Sequence, residues 1–190
     1  GGAPVGAAAL DQIIAATGVR TRPLRQAREW GYQRLAAGST VVILDGAPPP
    51  IARLVEGGCA STLAFEMSDG SHRLVVNCGG ARAGVVQLPA ALAEGLRTTA
   101  AHSTLIVGDS NSTAIHADGT LGRGVSEVEL ARQESEGLSR VEASHDGYAR
   151  RFGFLHRRQL ILASDGRELR GEDMLLPATK RRKLAATGFA

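Results

Sequence analysis

The 190 residues carry 43% hydrophobic and 22% charged side chains, the make-up of an ordinary globular domain, and no run approaches the ~18 unbroken apolar residues of a membrane span. The net charge of +3 resides in Lys180, Arg181, Arg182 and Lys183; setting these four aside leaves 18 of the 22 basic residues against 19 acidic ones, which weakens the electrostatic case for nucleic-acid binding. Aromatics at 4% leave the core to Leu, Val, Ile and Ala, and two cysteines exclude a disulfide scaffold.

Residues 7–16 (AAALDQIIAA) have helical periodicity, with Gly18 as a natural stop, so a short N-terminal helix is predicted. The arginine-rich stretch 21–29, interrupted by Pro23, reads as irregular chain or a short helix. From Tyr32 the pattern changes to strands: GYQRLAAG, STVVILDG, STLAFEMSDG and HRLVVNCGG follow one another with turn residues between them. Pro48-Pro49-Pro50 is a stiff connector between two of these. Asp69-Gly70 predicts a two-residue hairpin turn within 61–78, in a register that faces Leu63 with Val76, Phe65 with Leu74, Met67 with His72 and Glu66 with Arg73. Cys59 and Cys78 then fall diagonally, and two free thiols are expected. Residues 81–97 read as loop with a helical turn in PAALAEGL, TAAHSTLIVGD as a strand, and 111–124 as a long polar loop. Four further strands are predicted in VSEVELARQES, LSRVEASHDGY, ARRFGFLHRRQLILAS and RELRGEDMLL. Short strands at regular spacing argue for an all-β antiparallel β-sandwich preceded by a short helix. The opening Gly1-Gly2-Ala3-Pro4 and the closing Thr187-Gly188-Phe189-Ala190 read as cut ends of a longer protein.

No CxxC zinc motif, Walker loop, nucleophile elbow or HExxH is present. Of five histidines, His72 beside a turn and His116 in a loop read as surface residues. His102 stands among small residues that leave room around an imidazole. His145-Asp146-Gly147-Tyr148 gathers three polar groups at a turn, where an Asp orients a His and a Tyr of lowered pKa exchanges a proton. Arg150-Arg151 and Arg157-Arg158 bracket one expected hairpin; neighbouring strand residues point to opposite faces, so one of each pair can line a carboxylate-binding surface.

The ordered series GYQRLAAGSTVVILDGAPPP, LAFEMSDGSHRLVVNCGG, RTTAAHSTLIVGDSNS, VEASHDGYARRFGFLHRRQLIL and LRGEDMLL resembles the C-terminal part of bacterial heparinase II/III-like proteins. The resemblance implies a division into residues 1–30, a helical connector from an upstream domain, and 31–190, a β-sandwich truncated at its end. It implies the sandwich half of a polysaccharide lyase that cleaves acidic, uronic-acid-containing glycans by β-elimination. Its partner would be an N-terminal α/α toroid of the same parent chain; family habit points to the periplasm, with no nucleic-acid or membrane partner. The isolated chain would be inactive without the toroid. His102, His145 and Tyr148 are the catalytic candidates, and Arg151 and Arg157 the substrate-binding ones. A divalent metal, zinc or calcium, would fall to His102 and Asn77. The family's His-x-His pattern is replaced here by Gly57-Gly58-Cys59-Ala60-Ser61, and no zinc is expected to bind. The alternative is a non-catalytic sandwich that binds glycans or serves a structural role.

Overall fold

Alternation of buried and open side chains builds two sheets, seen in a computed structural model that describes residues 6–18, 31–50, 58–79 and 88–178. In the first, β1 (Tyr32–Ala37), β2 (Thr40–Asp45), β3 (Phe65–Asp69) and β4 (His72–Val75) form an antiparallel meander in chain order. In the second, β5 (Val128–Glu134), β6 (Leu138–His145), β7 (Phe154–Ala163) and β8 (Leu169–Pro177) do the same. β1 packs on β6 and β7, so the sheets face each other. Leu35, Val42 and Leu44 meet Val141, Ala143, Leu160 and Leu162 between them, with Leu63 added from the segment before β3. Burying each such side chain stabilises the fold by about 1.5–3 kcal/mol.

Three short helices complete the described elements. α1 (Ala7–Thr17) ends at Gly18, which turns the chain out of the helix at a φ of 64° while its N–H bonds the Ala15 carbonyl. α2 (Ala90–Gly95) occupies the PAALAEGL segment, and α3 (Ala149–Phe152) makes a single turn between β6 and β7. Pro48–Pro50 form no strand. The irregular chain expected at 21–29 lies outside the described residues.

Two expectations are corrected. The hairpin at 61–78 turns through Gly70-Ser71, so that Asp69 pairs with His72, Ser68 with Arg73 and, across an irregularity, Met67 with Val75. Of the two turn residues Gly70 has positive φ (53°) and Ser71 does not, which suits a Gly-X turn of type II′. Asp69 is a strand residue because its carboxylate accepts from Ser39 and Thr40 at the neighbouring turn. The second correction concerns TAAHSTLIVGD, which is not a strand. Thr99–Ala101 form a 3-10 turn and irregular chain follows. Its hydroxyls replace a ladder: Ser103 Oγ donates to Phe65 O and Thr104 Oγ1 to Thr62 O.

Candidate functional site

At one end of the sandwich the inward row of β7 changes character. Leu160 and Leu162 lie in the apolar core, but Arg158 and His156, in line with them, are just as buried. Register supplies their partners. His156 pairs with His145 on β6, and Arg158 with Asp173 on β8. Gly147 N–H donates to His145 Nδ1 at 3.1 Å, so the proton of that ring is on Nε2. It points to His156 Nδ1 at 3.1 Å, and His156 Nε2–H donates in turn to Asp173 Oδ1 at 2.8 Å. Burial, and after it the adjacent His156, push the pKa of His145 down to about 3. Burial alone would raise Asp173, yet hydrogen bonds from His156 and Arg158 hold its carboxyl well below the usual range.

Arg158 ties this row to the loops above it. Its Nε and Nη2 hold the two Asp173 oxygens at 2.8 and 2.7 Å, and Nη1 donates to the carbonyls of Leu63 and Ser103. The guanidinium also lies over the Phe65 ring, 5.4 Å from its centroid. Leu63 needs this support, because its φ of 64° is uncommon for a branched residue. On its other side, Leu63 N–H donates to the Asp45 carbonyl at 2.8 Å.

Asp45 opens onto a cleft of about 740 Å³, bordered among others by Tyr32, Ser61, Glu66, Asn77 and His102. Burial raises the Asp45 pKa to about 6, against weaker opposing hydrogen bonds from Ser61 and the backbone of Ala47. Ser61 Oγ donates to Asp45 Oδ2 at 2.9 Å. His102 Nδ1 donates to Thr98 O at 2.8 Å, which leaves Nε2 as the accepting nitrogen. The cleft therefore presents mainly hydrogen-bond acceptors.

A model of one family, described as heparinase II/III-like, C-terminal, matches residues 19–190. The chain belongs to that family. It is also 33% identical over 193 residues to the FtsZ-localized protein C of Caulobacter vibrioides (strain NA1000 / CB15N), an alignment that covers 93% of this chain and 31% of the relative. The chain thus spans about a third of that relative's length. No solved structure matches it.

Within this heparinase II/III-like domain the sequence candidates fall in separate places. His102 and Asn77 both border the cleft. Asn77 acts as a backbone clasp: its Oδ1 accepts from Ser103 N at 2.7 Å and its Nδ2 donates to Phe65 O at 3.2 Å. With that amide committed, the donor set does not fit a zinc or calcium ion, and no group of three or more His, Cys, Asp or Glu side chains among the described residues could hold one. His145 and Tyr148, expected to face a cleft, are buried at 2% and 1% exposure, which corrects their placement. The physical reason is that His145 ends an inward row of β6, and Tyr148 carries its hydroxyl inward to donate to Leu105 O at 2.7 Å. Burial raises the Tyr148 pKa instead of lowering it.

Arg151 and Arg157 share no surface. Arg157 lies 3.4 Å from Glu142, while Arg151 in α3 stands over Phe152 and borders a separate groove with Arg123 and Arg150. Cys59 and Cys78 are not bridged. Neither Asp45 nor Asp173 is a candidate in the sequence, whereas Arg158 is read there with Arg157 as one of a pair able to line a carboxylate-binding surface and instead lies buried. Asp45 reads there as turn punctuation before Gly46, and the only signal was a carboxylate closing the otherwise apolar run VVIL.

Proposed function

We propose that this chain is the glycan-contacting, non-catalytic β-sandwich of a heparinase II/III-like protein that operates at the bacterial cell-division site. The observation that carries the reading is the sealing of two of the three proton-transfer candidates, His145 and Tyr148, into interior hydrogen bonds. The third candidate, His102, opens onto a cleft of acceptors in which no Lys or Arg appears among the described lining residues, and Arg123, Arg150 and Arg151 border a different groove. β-Elimination from a uronic acid needs the carboxylate neutralised before the C5 proton can leave. Asp45 and Glu66 would oppose that. The division-site element draws its support from similarity to a protein named for its localisation with FtsZ.

The tests use the full-length parent. A fluorescent fusion is expected to co-localise with FtsZ, and heparin, polygalacturonate and alginate are expected to give no new absorbance from unsaturated uronate. A diffuse fusion, or rapid uronate release abolished by His102→Ala, overturns the proposal.

A second reading keeps the lyase: a polysaccharide lyase acting on acidic glycans, with the sandwich lending residues to a toroid's active site. Asp45 favours it, since a carboxyl with a pKa raised to about 6 and the His102 ring line one cleft, two groups of the kind general acid–base chemistry uses.

A further inference from the structure

We propose that the cleft beside Tyr32 binds a neutral, hydroxyl-rich saccharide. The Asp45 and Glu66 carboxylates and the His102 ring accept its hydroxyl hydrogens, and the Tyr32 ring meets a sugar face. This rests on the glycan-contacting reading above and names its ligand class.

Size, shape and charge of the cleft agree. A volume of about 740 Å³ falls within the ~300–1,000 Å³ of small-ligand sites. Tyr32 lies on the rim with 62% of its surface exposed, an unusual position for one of the chain's two tyrosines. An exposed ring offers an apolar face with a polar edge, the character a pyranose needs for stacking. Pro48, Pro49 and Pro50 add an apolar wall whose φ angles are fixed before any ligand arrives.

The polar groups select the ligand. Asp45 accepts from Ser61 and from the backbone of Ala47, while Glu66 Oε1 accepts from Asn77 N. The remaining carboxylate lone pairs and His102 Nε2 require donors. Sugar hydroxyls supply donors without charge. A polyuronate supplies further carboxylates, and burial around Asp45, visible in its raised pKa, strengthens their repulsion. A metal cation is disfavoured by the absence of a three-ligand cluster among the described residues.

Isothermal titration of the 190-residue chain tests this, with a β-linked N-acetylglucosamine hexamer and a β-linked glucose hexamer set against polygalacturonate. The expected result is saturable heat from at least one neutral oligosaccharide, little changed by salt, and none from polygalacturonate. Tyr32→Ala and Asp45→Asn should each weaken binding by roughly tenfold, with the far-UV spectrum and melting temperature reporting an intact fold. Silence of both neutral oligosaccharides, binding of polygalacturonate alone, or neutral binding unchanged in both variants overturns the inference. A parent protein that releases unsaturated uronate while its sandwich binds neutral oligosaccharides sinks the non-catalytic reading alone. A parent silent in the uronate assay whose sandwich takes no neutral oligosaccharide sinks this inference alone.

Discussion

Replacing Asp45 with Asn should change how stability depends on pH, and two buried groups set the sign. Asp45 has a folded pKa of about 6 against an ordinary 3.8. Between those values the native state holds a proton that the unfolded chain has released. Its contribution is therefore fully present below about pH 4 and is lost as pH rises through 6, a swing of up to about 3 kcal/mol. His145 works the other way, since its pKa falls from 6.5 to about 3 on folding. Below pH 6.5 the unfolded chain gains a proton that the native state refuses, so stability declines on acidification by ~1.4 kcal/mol per pH unit. From pH 6 to pH 4 the two slopes oppose and nearly cancel. Urea unfolding at half-unit steps across that window should give a nearly flat profile for the natural chain. Asp45→Asn keeps an acceptor for Ser61 but removes the titration, and its stability should fall steeply over the same steps. Parallel profiles for the two proteins would refute the reasoning.

Arg158→Met should cost about 3–5 kcal/mol, because it strands the Leu63 and Ser103 carbonyls and half-frees Asp173; a melting temperature lowered by ~10 °C would register this. Gly166→Ala places a Cβ 2.3 Å from the Ala37 carbonyl at a φ of +72°. Calorimetry should show a loss of at least ~1–3 kcal/mol. Asn77→Ala removes the clasp on Phe65 and Ser103, with an expected loss of about 1–3 kcal/mol and faster amide exchange at Ser103.

The second sheet is readable because period-2 alternation runs through β6 and β7 and the first part of β5, with turn residues between the strands. The first sheet's hairpin went astray by a local choice. Asp69-Gly70 and Gly70-Ser71 are both acceptable two-residue turns, and only the distant Ser39 and Thr40 hydroxyls settle which one forms. TAAHSTLIVGD misled in the same manner. Its alternation is strand-like, but its Ser and Thr hydroxyls bond carbonyls about 40 positions away, which no local pattern reveals. The site was less legible. His102 and Asn77 do reach the cleft, yet Asp45 looked like part of a turn, and His145 looked catalytic because its burial depends on which way the end of β6 points.

The location of the buried polar row has a structural cause. Sheets satisfy their own backbone, but loops covering the end of a sandwich bring carbonyls with no ladder to join. Arg158 reaches two of them from one side chain, and Asp173 balances its charge. Histidine is useful beside them because a neutral ring both gives and accepts, so His145 and His156 carry one direction of hydrogen bonding from Gly147 to Asp173. The residues that most resemble an active site in the sequence thus spend their polarity on the loop layer. They still bear on the proposed saccharide cleft through Leu63, whose carbonyl is held by Arg158 and whose N–H is bonded to the carbonyl of Asp45. Loss of saccharide binding in Arg158→Met is therefore to be read as a displaced cleft wall, whereas Tyr32→Ala, made on the exposed rim, should lose binding with its melting temperature unchanged.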